Sequence, residues 1–307
     1  MRLLLLGVVC ALTMQAATHY ITIAGLGGEA DFDQRFAGWA QTIDQVLRAS
    51  RTDAKIDTLS GKDSTRDRLR EVLATAVQDC GPDDAIVLMI IGHGTFDGEE
   101  YKIALPGPDI SGSELATLLN RVRATRQLVV NMTSSSGGSI AALRKQGRIV
   151  ITATKTGTEK NATVFARYWA EALRDPTADT DKNEAVTALE AYRYAIQKTA
   201  AFYESQKRLA TEHPMLEDTG QGEGVRDPSP DQGQGRLAAA FTLLRFGAAQ
   251  AAAKDPAKQK LLARKEQVEQ AIDLLKYQKA AMDLDQYKRE LQKLLLDLAR
   301  LQQEIDK

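Results

Sequence analysis

The stretch AIVLMIIGHG at residues 85–94 decides the fold. Ala85 to Ile91 is an unbroken apolar run without the alternation of a half-exposed strand, as expected of a central parallel strand covered on both faces. It stops at Gly92-His93-Gly94, where glycine lets the chain turn sharply and approach other groups closely. Working outward, His19 to Ala24, Lys55 to Leu59, Leu128 to Asn131 and Val150 to Ala153 read as further strands. Phe32 to Arg48, a segment capped by Ser64 and running to about Val77, Ser113 to Val122, Ser139 to Lys145 and Ala162 to Arg174 read as helices between them. Strands alternating with helices predict a mostly parallel α/β sheet with helices on both faces. In such sheets reactive groups gather beyond the carboxyl ends of the strands. His93 and the turn Thr133-Ser134-Ser135-Ser136-Gly137 both fall there.

These two strand ends resemble those of the legumain-like (asparaginyl endopeptidase) family of the caspase-like cysteine peptidase clan. Their histidine follows one strand in a His-Gly motif, and their cysteine follows the next in an Ala-Cys-x-Ser-Gly type of motif. Gly92-His93-Gly94 matches the first, and Ser136-Gly137 matches the tail of the second. The separation, 134 − 93 = 41 residues, suits legumain-like members, and the likeness spans roughly residues 19–215. The resemblance implies a caspase-like sheet, His93 as general base, the Gly94 amide as an oxyanion donor and Ser134 at the nucleophile position. Serine replaces the cysteine there, and a hydroxyl is a weak nucleophile without a well-oriented base. The resemblance therefore implies a pseudo-peptidase that binds peptides or protein partners through the inherited cleft. The alternative is an active hydrolase using Ser134 with His93. Cys80 precedes the histidine strand and is no substitute nucleophile.

Leu3 to Met14, preceded by Arg2 and followed by Ala16 and Ala17, has the layout of a signal peptide over residues 1–17 and predicts a secreted or periplasmic protein. That apolar stretch is too short to span a bilayer, so no membrane span is expected in the mature chain. Loss of Cys10 with the signal leaves Cys80 alone, without an internal disulfide. A formal net charge of −1 gives no electrostatic footprint for nucleic acid.

Asp179, Asp181, Asn183 and Glu190 stand at positions one, three, five and twelve of an EF-hand-like loop, a candidate calcium site. Position six, normally glycine, is Glu184, and Thr187 with Glu190 also makes an ordinary capping box. No other cofactor is expected. Residues 212–235, rich in Gly, Pro, Asp and Gln, read as a loop or linker, and Leu237 to Phe246 as a last strand of the sheet. The main domain thus covers 18–247. Residues 251–307 carry heptad-like apolar spacing broken at Met282-Asp283-Leu284-Asp285, predicting a helical hairpin or coiled coil and a route to oligomerisation.

Overall fold

The computed structural model describes residues 17–50, 54–279 and 282–307. The expected signal segment, except Ala17, lies outside them, as does Cys10. The chain runs β1 (Thr18–Ala24), α1 (Ala30–Ser50), β2 (Ala54–Leu59), α2 (Arg66–Asp79), β3 (Ala85–Ile91), β4 (Gly94–Phe96), β5 (Tyr101–Ile103), β6 (Ile110–Ser111), α3 (Gly112–Arg121), β7 (Arg126–Asn131) and α4 (Ile140–Leu143). It continues through β8 (Arg148–Thr152), α5 (Phe165–Ala172), β9 (Ala185–Thr187), α6 (Ala188–Ser205), β10 (Met215–Glu217), α7 (Arg236–Ala239) and β11 (Thr242–Arg245), and ends in α8 (Gly247–Ala253), α9 (Pro256–Gln278) and α10 (Leu284–Ile305).

The six-stranded sheet has the order β10-β8-β7-β3-β1-β2. β2, β1, β3, β7 and β8 are parallel, and β10 closes the edge antiparallel to β8. The apolar run of β3 is central and wholly buried because both faces are covered. Val87, Met89 and Ile91 face α1, α5 and α6, whereas Ile86, Leu88 and Ile90 face α2, α3 and α4. The period of two along the strand divides one sequence between two cores. This is the α/β sheet with helices on both faces that the sequence predicts.

The helix cover also locates the crevices. β1 leads to α1 on the first face, whereas β3 leads through a three-stranded antiparallel meander (β4-β5-β6) to α3 on the second. β7 leads to α4 on the second face and β8 to α5 on the first. With β2 leading to α2 on the second face, the chain diverges at three strand pairs, β1/β2, β1/β3 and β7/β8, and an open α/β sheet binds ligands at such switch points.

Three expectations need correction. Leu237 to Phe246 is not a strand of the main sheet. Arg236–Ala239 is helical, with the amides of Gly235, Leu237 and Ala238 bound to the buried Asp218 carboxylate, and only Thr242–Arg245 is extended, pairing with β9 instead. Secondly, the supposed linker 212–235 contains the sheet's sixth strand. Its polar residues serve an ordered loop: the fully buried Glu217 carboxylate accepts hydrogen bonds from Thr219, Gly220 and Gly222 amides at 3.0–3.2 Å. Thirdly, α2 is capped by Thr65, whose side chain accepts from the Arg68 amide, and not by Ser64.

The C-terminal region contains the expected hairpin. Asp283 caps α10 through the Asp285 and Gln286 amides, and Val268, Ile272 and Leu275 of α9 are buried. The hairpin is docked on the main body: Glu266 of α9 pairs with Arg245 and accepts from Thr242 of β11. A small apolar cluster of Ala252, Leu262 and Ile305 ties α8, α9 and the end of α10 together. Among the described residues no helix is long and apolar enough to cross a membrane.

Candidate functional site at the carboxyl edge of the sheet

β3 and β7 are adjacent, with Ile90 opposite Asn131, so the chain emerging from each meets the other at the same edge. Two side chains brace the turn after β7. Tyr101, fully buried in β5, donates to Asn131 Oδ1 at 3.2 Å and pairs closely with Thr133 Oγ1, while Asn131 Nδ2 donates to Ser139 Oγ at 3.0 Å. Burial pushes the Tyr101 phenol well above its usual range, so it stays a neutral donor.

Ser134 lies inside this brace, 2% exposed. Its hydroxyl donates to the Gly94 carbonyl at 3.0 Å and accepts from the Gly94 amide at 3.0 Å. Both hydrogen-bonding roles of the hydroxyl are spent on one residue, the neighbour of His93 in sequence. The same pairing occupies the amide that the resemblance assigns to an oxyanion. Gly94 must be glycine because a Cβ there would stand 2.5 Å from the Ser134 carbonyl and 2.7 Å from Tyr101.

His93 turns elsewhere. Its ring packs edge-on against Phe32 at 4.9 Å and Phe36 at 5.1 Å, both on α1. Burial lowers its pKa below the ordinary histidine value, against the opposing pull of a hydrogen bond to the Gly27 backbone and the charges of Asp33 and Glu29. The ring is thus held neutral in the β1/β3 crevice. His93 and Ser134 share no hydrogen bond, although their loops touch through Gly94. Cys80 is buried ahead of β3, at the opposite end of the sheet from His93, with its thiol pushed up to about 11 by burial.

The β7/β8 crevice joins the serine turn to residues after β8, Thr154 and Glu159, that the sequence did not single out. Ser136 Oγ accepts from the Thr154 amide at 3.1 Å, and the Gly137 amide donates to Thr154 Oγ1 at 2.8 Å. Ser135 occupies the left-handed region at φ 56°, strained for a residue with a Cβ. Its amide donates to the Glu159 carbonyl at 2.8 Å, and its hydroxyl is buried without a hydrogen-bond partner among the described residues. The Glu159 carboxylate holds His213, at 2.6 Å from Nδ1 and 3.1 Å from its amide. Glu159 was invisible in the sequence because Ser135 and His213, the two segments it joins, lie 24 and 54 residues away.

The acidic loop brings together three of its four expected ligands: oxygens of Asp179, Asp181 and Glu190 lie within 4.8 Å of one another. These are the residues that would hold a calcium ion. Asn183 instead scaffolds the loop, its amide oxygen accepting from Ala185 at 2.9 Å. Glu184, at the position where a glycine is usual, adopts φ 65° and caps α8 by accepting from the Ala249 amide at 2.7 Å. The Thr187–Glu190 capping box is also present. Although the residue as a whole is exposed, desolvation of its carboxyl inside the loop, then the nearby Glu190 and Asp179, push Asp181 up to about 6. A carboxyl raised in the folded state stabilises fully below its unfolded pKa, and that contribution fades as pH rises through about 6. Metal-free Asp181→Asn should therefore melt higher than wild type at pH 7 to 8, with the difference gone near pH 4. Millimolar calcium should raise the wild-type melting temperature and not the variant's. Equal melting of both proteins at every pH, with or without calcium, would leave the loop as a helix cap alone.

No protein-family model matches the chain, and no curated protein matches it in sequence. Solved structures to which it is similar include the Drosophila initiator caspase Dronc, at 10% identity and TM-score 0.43 over 68% of this chain and 82% of that one. A Geobacter sulfurreducens protein gives 12% identity and TM-score 0.43 over 70% and 96% of the two chains. Chaetomium thermophilum Raptor gives 9% and 0.36, over 53% of this chain and 19% of its own.

Proposed function

We propose that the chain is an exported, non-catalytic homologue of the legumain/caspase-like peptidases that binds peptide segments at the carboxyl edge of its sheet. The reciprocal hydrogen bond between Ser134 and Gly94 carries this reading. A serine nucleophile needs a base within about 2.6–3.2 Å and a free amide for the developing oxyanion. Here the hydroxyl proton is committed to a carbonyl, the amide is occupied by the hydroxyl itself, and the imidazole is packed against α1. What persists is an edge with a switch-point crevice in which Ser134 and His93 are not disposed for hydrolysis.

The test is a peptidase assay of the chain lacking residues 1–17 on asparaginyl, aspartyl and arginyl peptides. Wild type and Ser134→Ala should both match the blank. Removing the hydroxyl should instead lower stability by about 1–3 kcal/mol, because the buried Gly94 amide and carbonyl lose their partner. Turnover by the wild type that disappears in Ser134→Ala overturns the proposal in favour of a serine hydrolase. Activity appearing in Ser134→Cys and vanishing when His93→Ala is added would assign His93 a competence that serine does not exploit.

A further inference from the structure

The β7/β8 crevice is filled by the protein's own Phe96. The ring lies between two glycines, Gly138 on the serine turn and Gly157 in the loop after β8. A Cβ built on Gly138 would meet the ring at 2.7 Å, and one on Gly157 at 2.2 Å, distances that real Cβ atoms do not show. Neither glycine has a positive φ, so the backbone does not require glycine at either place. The ring is what excludes a side chain from both. Two separate loops are therefore shaped around one aromatic group, beside the turn that bears Ser134 to Ser136.

Phe96 is only half-buried, packed at the margin of the second-face core. It ends the three-residue strand β4, pairs with Tyr101, and leads into the exposed turn Asp97-Gly98-Glu99. Short strands followed by exposed turns belong to the low-stability end of a fold and open most readily. The Ser135 hydroxyl, buried without a hydrogen-bond partner among the described residues, sits in the same serine turn.

We propose that the slot between Gly138 and Gly157 is a subsite for an aromatic side chain of a bound peptide, and that Phe96 fills it in the free protein. The proposal rests on the reading of this edge as a peptide-binding cleft and adds the class of side chain it selects. Phe96 acts as an internal competitor: the apparent affinity of a peptide falls by the fraction of molecules in which the slot is closed.

The experiment is calorimetric titration of the chain lacking residues 1–17 with two blocked peptides, acetyl-Ala-Phe-Ala-amide and acetyl-Ala-Ala-Ala-amide. Phe96→Ala should bind the phenylalanyl peptide about tenfold or more tightly than wild type does, a gain worth about 1.4 kcal/mol. It should also prefer that peptide to the alanyl one. Adding Gly157→Ala, whose methyl intrudes on the vacated slot, should remove the gain. Phe96→Leu, which keeps apolar bulk, should show a smaller gain and serves if the alanine variant does not fold. Equal binding of the two peptides by the folded variants would overturn the slot and leave the cleft reading intact. Binding of neither peptide by any of the proteins would overturn both.

Discussion

Gly137→Ala should cost about 4 kcal/mol or more, an exceptional loss for a single methyl group. The turn after β7 approaches the loop after β8 so closely here that a Cβ on Gly137 would lie 2.3 Å from the Lys155 carbonyl carbon and 2.4 Å from the Thr156 nitrogen. Both are main-chain atoms, so no rotamer change relieves the clash. Overpacking against side chains typically costs about 1–3 kcal/mol, and rigid backbone should exceed that range. The backbone must separate, breaking the Gly137–Thr154 and Ser136–Thr154 hydrogen bonds that join the two loops. Against a total stability of about 5–15 kcal/mol, and at about 2–4 °C per kcal/mol for a chain of this size, the melting temperature should fall by about 10 °C or more. Gly38→Ala is the matched control. It lies in α1, where a Cβ would meet nothing within 4 Å, so alanine should stabilise by about 0.5–1 kcal/mol through helix propensity. Thermal denaturation followed by circular dichroism checks both. A Gly137→Ala protein melting within a few degrees of wild type would mean that the loop after β8 yields freely and that the crevice is not a rigid site.

What the sequence made legible follows from how locally each feature is encoded. Ala85 to Ile91 announced a central strand because burial on both faces demands an unbroken apolar run. Asp179, Asp181 and Glu190 were legible because a loop that gathers carboxylates must space them regularly. β4, β5, β6 and β10 were not: strands of two or three residues are too short to show a period. Leu237 to Phe246 misled because its apolar residues suit a strand, while Asp218, about 20 residues earlier, supplies the carboxylate that organises Arg236–Ala239 as a helix.

The candidate site divides in the same way. Placing His93 and Ser134 at one edge needed only strand order. That Ser134 binds Gly94 across 40 residues of sequence, while the imidazole turns toward Phe36, depended on packing that no spacing encodes. The glycines of the slot were hidden for the same reason. Gly138 and Gly157 look like ordinary turn residues until Phe96 is placed between them.

Stability should fall as pH rises from about 4.5 through about 7, and Glu212 should account for much of the fall. This carboxyl is 2% exposed at the start of α5, where it accepts from the Val164 amide at 2.8 Å, the Phe165 amide at 3.2 Å and the Tyr203 hydroxyl at 2.9 Å. Burial nevertheless dominates and pushes its pKa up to about 7, with the nearby Glu159 adding to the rise and the three donors opposing it. The folded protein therefore keeps this proton to about pH 7, whereas the unfolded chain releases it near 4.5. The contribution is fully present below 4.5 and is lost as pH rises through 7, a change on the order of 3 kcal/mol. His19 and His93, both lowered by burial, work in the opposite direction, adding stability as pH rises through the usual histidine range. The wild-type profile is the sum of these slopes, so the difference between wild type and Glu212→Gln isolates the carboxyl. The amide oxygen of glutamine retains an acceptor for Val164 and Tyr203 but cannot ionise. Its pH profile in urea denaturation should be flatter than wild type between 4.5 and 8, with the variant gaining on wild type steadily up to about pH 7. Parallel profiles would show that Glu212 stays ionised in the folded protein, and that its three donors outweigh burial.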